Sequence, residues 1–151
     1  MLSIVIEFTD SNKELYRYDD YGDITLHGRF GSWSSKVGSR HIFLVCSLSA
    51  LLYEIEQFVI LRKESHEYIG MDTSFGFWMI RSASHTSLYS NIGERIHIED
   101  LNDEELILCT WKSLNQFLLV NEDKFDRLGE DGQFFSGFDM AYTRFKNSFN
   151  L

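Results

Sequence analysis

Five histidines, His27, His41, His66, His85 and His97, are the side chains from which acid–base chemistry near neutral pH would come. None is spaced from another as a helical metal pair, and no Cys-x-x-Cys accompanies them. His27 and His97 alternate with apolar residues and are expected to face solvent, while His41, His66 and His85 fall at element edges or in loops. Cys46 and Cys109 lie in or beside apolar segments and lack the local signature of an activated thiol. They read as buried, reduced thiols, with a disulfide between them left open. No Gly-x-Ser-x-Gly elbow occurs. The glycines at Gly28, Gly31 and Gly38 have neither the spacing nor the lysine of a phosphate-binding loop. Neither a catalytic residue nor a cofactor is expected.

Carboxylates are the other source of chemistry. Asp19, Asp20 and Asp23 form one cluster, and Glu99, Asp100, Asp103, Glu104 and Glu105 a denser one. A glycosidase would need two carboxyls converging across a cleft, but these are contiguous in sequence. Calcium would need acids alternating through a glycine-containing loop, which residues 19–23 imitate poorly. Two readings stay open for the denser cluster: helix capping on a solvated face, or a surface for a basic partner. A third set, Glu122, Asp123, Asp126, Glu130 and Asp131, is diluted by Lys124 and Arg127. Tyr16, Tyr18 and Tyr21 surround the first cluster, and tyrosines among carboxylates suit a surface that grips lysine- and arginine-rich proteins. Trp33, in the polar loop Gly31-Ser32-Trp33-Ser34-Ser35, either folds back onto the core or anchors an interface. Trp78 and Trp111 lie inside patterned segments and read as core.

The elements that would position these groups follow from hydrophobic period. Leu48, Leu51, Leu52, Ile55, Phe58 and Val59 recur at three- and four-residue spacing, which predicts a keystone helix over about 48–62. Ser47 or Ser49 would cap it, and Tyr53, Glu54, Glu56 and Gln57 would face away from the core. The apolar run Ile42-Phe43-Leu44-Val45 before it predicts a buried strand. Residues 2–9 alternate as a half-buried first strand, 15–18 suggest a second, and 24–30 alternate again. Residues 67–71 and 74–82 read as two strands, the second apolar on both faces and so central in its sheet. Leu88 and Tyr89 suggest a short strand, and 95–98 alternate. Asn102 with Glu105 three residues on approximates a capping box for a helix over about 103–120. Phe138, Ala141, Tyr142, Phe145 and Phe149 predict a last helix over about 138–149. The whole reads as one α+β domain spanning 1–151, a mainly antiparallel sheet packed by two to three helices.

Composition narrows the function classes. Fourteen basic residues against twenty-three acidic ones give a formal net charge of −9. Such a chain repels nucleic-acid phosphates and speeds encounter with a basic protein. A 44% hydrophobic fraction suffices for a core, no run is long enough to span a bilayer, and the N-terminal stretch lacks the basic lead of a signal peptide. A cytoplasmic protein with no nucleic-acid or membrane partner is expected. Proline is absent, so the ten glycines must make the corners.

The strand-to-helix unit FLVCSLSALLYEIEQFV, the aromatic strand SFGFWMI and the acid-led helix EDLNDEELILCTW together resemble small acidic bacterial immunity proteins. Those proteins are made alongside secreted toxins, including those of contact-dependent growth-inhibition systems, and the resemblance runs loosely over residues 2–120. It implies a non-catalytic cytoplasmic protein that binds one toxin domain and blocks its active site, while the charge of −9 and the clustered acids point to a basic toxin, a nuclease. No motif carries functional residues across. From charge and position, the partner-binding residues are expected to be Glu99, Asp100, Asp103, Glu104 and Glu105, with Asp19, Asp20, Asp23 and Trp33. The alternative is a small-ligand or enzymatic domain whose cleft is lined by Trp78, Phe77 and converging histidines from among His66, His85 and His97.

Overall fold

In the computed structural model, which describes residues 1–151, the keystone helix α1 runs over Leu44–Ile60 between two four-stranded antiparallel sheets. The first sheet contains β1 (Ser3–Phe8), β2 (Tyr21–His27), β3 (Ser32–Ser34) and the two-residue β4 (Ile42–Phe43). The second is a meander of β5 (Ser65–Ile69), β6 (Gly76–Arg81), β7 (Thr86–Ser90) and β8 (His97–Leu101). Helix α2 (Asp103–Asn121) packs on β1, and α3 (Phe135–Phe149) packs on α1. The α+β class expected from the sequence is the one observed, with two sheets in place of one.

Leu48, Leu51, Leu52, Ile55 and Phe58 of α1 are fully buried, as their spacing requires. They meet Ile4, Ile24, Leu26 and Trp33 from the first sheet and Tyr68, Phe77, Met79 and Leu88 from the second in one core. Burying each large side chain is worth roughly 1.5–3 kcal/mol before entropy is counted. An aromatic cluster of Phe125, Phe135, Phe138, Tyr142 and Phe145 closes the side where α3 lies.

Several local expectations are corrected. The strand expected over 42–45 stops at Phe43, because only Ile42 and Phe43 find partners, in Gly22 and Tyr21. Leu44 instead gives its amide to Asp20 O and starts the helix. Neither Ser47 nor Ser49 caps it: Ser47 Oγ accepts from the Met71 amide at 2.8 Å, and Ser49 Oγ donates to Val45 O. Glu56 does not face solvent. It is buried against α3, where Arg144 Nε lies 2.9 Å away and Ser148 donates a hydrogen bond. Residues 15–18 form no strand, only one parallel bridge from Tyr16 to Phe125. The last strand lies at 97–101 and not 95–98, since a bulge opposite Leu88 and Tyr89 shifts the register.

The two sheets are tied where the β2–β3 hairpin tip meets β8. Phe30 N donates to Ile98 O at 3.1 Å, and any Cβ at Gly28 would stand 1.9 Å from that same oxygen. Only glycine lets the backbones approach so closely. Trp33 Nε1 adds a second tie, donating to Gly76 O at 2.8 Å.

Candidate functional site

Most of the expected partner-binding acids are occupied inside the molecule. Glu99 lies in β8, not at a helix start, and is 1% exposed. Its carboxylate accepts from Arg29 Nε at 2.7 Å, from the Arg29 amide and from the Asp100 amide. Burial pushes Glu99 up, but these donors outweigh it and hold the group below the usual carboxylate range. Asp100, also in β8, accepts from Ser87 Oγ at 2.6 Å and pairs with His97 Nε2 at 2.7 Å. Its acidity is likewise lowered, since those two partners overcome a desolvation that acts the other way. Asp103 holds Arg81 at 2.9 and 3.1 Å, and Glu105 completes a full capping box with Asn102. Of the five, Glu104 alone has no partner within the chain. The denser cluster thus holds a structural corner together, with Glu104 and Glu105 exposed at its outer side.

The first cluster divides. Asp23 is 2% exposed, taking bonds from Ser35 Oγ at 2.6 Å and His41 Nδ1 at 2.8 Å, so it offers no surface. Trp33 is 5% exposed on the inner face of the first sheet, opposite Leu26, so its expected role as an interface anchor is corrected to core packing. Asp20 turns inward to Lys13 Nζ and the Arg17 amide, both at 2.8 Å. Asp19 remains outside with its side chain 58% exposed. Beside it lies Tyr21, 47% exposed, whose hydroxyl donates to Asp72 at 2.5 Å. That bond, with the charges of Asp72 and Asp19, pushes the Tyr21 phenol up. Tyr21 also packs on Phe43 at 5.0 Å between ring centres, next to exposed Met71. Asp72 adopts φ +80° at the tip of the β5–β6 turn, a left-handed conformation that aspartate tolerates better than most residues. The sequence could not place Asp72 here, because it joins Asp19 and Tyr21 only through the pairing of β4 with β2 and the bond from Phe43 N to Met71 O.

The histidines meet carboxylates across the fold. His41 pairs with Asp23, His66 with Glu54, and His97 with Asp100, while His85 Nε2 stands 3.6 Å from Asp100 Oδ1. Two of the three histidines of the cleft reading therefore converge on one carboxylate; His66 sits elsewhere with Glu54, and Phe77 is in the core. Ser87 directs its proton to Asp100 and Ser35 directs its own to Asp23, while on the exposed surface Ser32 Oγ lies 2.9 Å from His27 Nδ1 and Ser84 Oγ 2.9 Å from His85 Nδ1. No group of three or more His, Cys, Asp or Glu side chains is placed to hold a metal ion. The thiols are free: Cys109 Sγ lies 3.1 Å from Leu2 O, and burial pushes it up.

The second sheet has a face that the sequence reading assigned to the core. Strand register puts Glu67, Trp78, Tyr89 and His97 in one cross-strand row, with Ile80, Ser87 and Asp100 in the next. Trp78, Ile80 and Tyr89 are half-buried and stand outside the core. Phe30 stacks on His97 at 4.4 Å, His97 on Tyr89 at 4.9 Å, and the Arg95 guanidinium lies 4.3 Å from the centre of the Tyr89 ring. Clefts of about 800 and 600 Å³ lie elsewhere, and one of about 650 Å³ is lined in part by Arg29, Glu99 and Asp100.

Comparison with family models, with curated proteins and with solved structures gives no match to this chain. No helix is long and apolar enough to cross a membrane.

Proposed function

We propose that this protein is a non-catalytic, immunity-type inhibitor that binds and neutralises a basic toxin domain, a nuclease, in the cytoplasm. The observation that carries the reading is the acid–tyrosine face, where exposed Tyr21 is held by Asp72 beside Asp19, Phe43 and Met71. A rigid tyrosine flanked by carboxylates suits a lysine- or arginine-rich surface, and the net charge of −9 accelerates the encounter. In this reading the face takes the place of the start of α2 as the contact region, because there Asp103 and Glu105 are engaged within the chain and only Glu104 is free.

The test is binding to the product of the adjacent gene, by calorimetry, with wild type and with the Asp19→Asn, Tyr21→Ala, Asp72→Asn triple variant. The triple variant is expected to bind about tenfold or more weakly, close to 1.4 kcal/mol, and to associate more slowly at low salt. Wild-type affinity in that variant would move the interface elsewhere. A neighbour that is not bound at all would overturn the immunity reading.

A second reading, a small-ligand or enzymatic domain, has one observation in its favour: His85 and His97 both approach Asp100. The protons of Ser87 and His97 are committed to the same carboxylate, which favours a structural knot over a reactive centre.

A further inference from the structure

Among the longer edge strands of the two sheets, β5 alone lacks a cover. Helix α2 lies against β1, and its Cys109 thiol donates to Leu2 O. On β8 the outward carbonyls of Ile98 and Asp100 accept from Phe30 N and from Arg29 Nη2. Strand β5 pairs only with β6. The bonds from Arg81 N to Glu64 O and from Gly70 N to Phe75 O show that its even-numbered residues face that neighbour. The amides and carbonyls of Ser65, Glu67 and Ile69 therefore point away from the sheet, and none has a partner in the chain. Ser65 and Ile69 are exposed and Glu67 is half-buried. Natural edges are blunted by proline, lysine or a bulge, and Ser65–Ile69 has none of these.

We propose that the basic partner docks by adding an extended segment to the open edge of β5, an inference that rests on the immunity reading for the partner's identity. Main-chain pairing supplies the affinity, since Ser65, Glu67 and Ile69 each offer one donor and one acceptor. The edge also runs directly into the acid–tyrosine face. The next outward residue, Met71, accepts from Phe43 N, and Asp72 beyond it holds Tyr21. One extended segment can thus pair along Ser65–Ile69 and bring a following residue to Tyr21. Charge selects a segment that carries lysine or arginine. Glu67 accepts only from Asn91, Asp72 only from Tyr21, and the exposed Glu64 carboxylate bonds nothing. The nearby cations do not neutralise them: Arg81 is held by Asp103, Lys63 lies against His66, and Arg40 turns to Val37 O. Arg62 sits in the turn that ends α1, before the strand begins. A second copy of the chain fits less well, because full antiparallel pairing of two β5 edges sets Glu67 against Glu67.

Hydrogen–deuterium exchange read by NMR, on the protein alone and with the product of the adjacent gene, tests the proposal. Alone, the amides of Ser65, Glu67 and Ile69 should exchange fast, while those of His66 and Tyr68, paired with β6, exchange slowly. In the complex the three edge amides should slow about tenfold or more. Glu67→Pro removes one edge donor without touching the β6 ladder, and Ile69→Pro does the same without changing charge. Each should keep the fold and weaken binding about tenfold or more. Should neither variant fold, exchange in the wild-type complex decides. A complex in which the three amides stay fast, or in which both proline variants bind as wild type does, would overturn the added strand and leave the immunity reading standing. If the neighbour does not bind, the immunity reading fails, and a blocked heptapeptide of alternating lysine and valine at millimolar concentration decides for the edge. Slowed amides at Ser65, Glu67 and Ile69 would support strand addition there, and unchanged ones would overturn it. Protection that rises with the concentration of the protein alone would assign the edge to a second copy, against the proposal.

Discussion

Arg29 reaches across seventy residues of sequence to place its Nε 2.7 Å from the carboxylate of Glu99. The pair locks the tip of the β2–β3 hairpin onto β8, and it makes the buried carboxylate tolerable as an ion. Glu99 and its neighbour Asp100 both hold their protons less tightly than ordinary carboxylates do.

Stability should therefore depend on acid in a defined direction. A carboxylate more acidic in the folded than in the unfolded chain stabilises above its unfolded value, about 4. That contribution is lost as pH falls through the lower, folded value. Urea unfolding between pH 7 and pH 3 should show a steep loss below about pH 4. In Glu99→Gln the protein should be less stable at pH 7 and its loss on acidification shallower. An unchanged slope would mean that other carboxylates dominate.

The three acids that open α2 have three different roles, so single substitutions should separate them. Glu105→Ala removes half of the capping box and should cost about 0.5–1 kcal/mol. Asp103→Asn weakens a half-buried pair with Arg81, whose guanidinium also donates to Lys63 O and Phe58 O, and should cost about 1 kcal/mol. Glu104→Gln should stay within about 0.5 kcal/mol of wild type. Thermal denaturation of the three variants would show the ranking, and equal losses would contradict it.

Asp23 is the most internally committed acid of the first cluster, with Ser35 and His41 both within hydrogen-bond distance. Truncation to alanine strands both partners in a site that is 2% exposed. The expected cost is about 2–3 kcal/mol, read from denaturant unfolding. Asp19→Ala, outside the network, should leave stability within about 0.5 kcal/mol.

Thr110 on α2 faces Ile4, Ile6, Leu48, Leu51 and Leu52, and its hydroxyl has no hydrogen-bond partner. A buried hydroxyl without a partner is destabilising, and valine has nearly the same shape. Thr110→Val should add about 1 kcal/mol, or roughly 2–4 °C in Tm for a chain of this size. A fall in Tm would mean that the hydroxyl is satisfied in solution.

The helices were legible because their apolar period is dense: Leu48 to Phe58 and Ile107 to Leu118 bury the faces that their spacing marks out. Asn102 and Glu105 were legible because a capping box is local. The site was harder because its contacts are not local. Asp72 reaches Tyr21 across a sequence separation of 51, and Glu99 reaches Arg29 across 70. Clustering in sequence suggested that Glu99 to Glu105 share one surface, but a bulge in β8 turns Glu99 inward and Asp100 outward. Trp78 misled for a related reason. An apolar run shows that a strand is central, yet not that both of its faces are covered.

The close approach at Gly28 also bears on how the chain is made and how it opens. The first sheet emerges early from the ribosome, but the strand on which its hairpin tip rests comes about seventy residues later, and α2, which covers β1, later still. Until then Ile4 and Ile6 are covered only on the side of Leu48, Leu51 and Leu52, and the nascent N-terminal hairpin is a sticky, unfinished edge. Pairings this distant in sequence slow folding, and they also fuse both sheets into one cooperative foldon. The amide of Phe30, though it sits in an exposed loop, should therefore exchange with deuterium only as slowly as the core strands do.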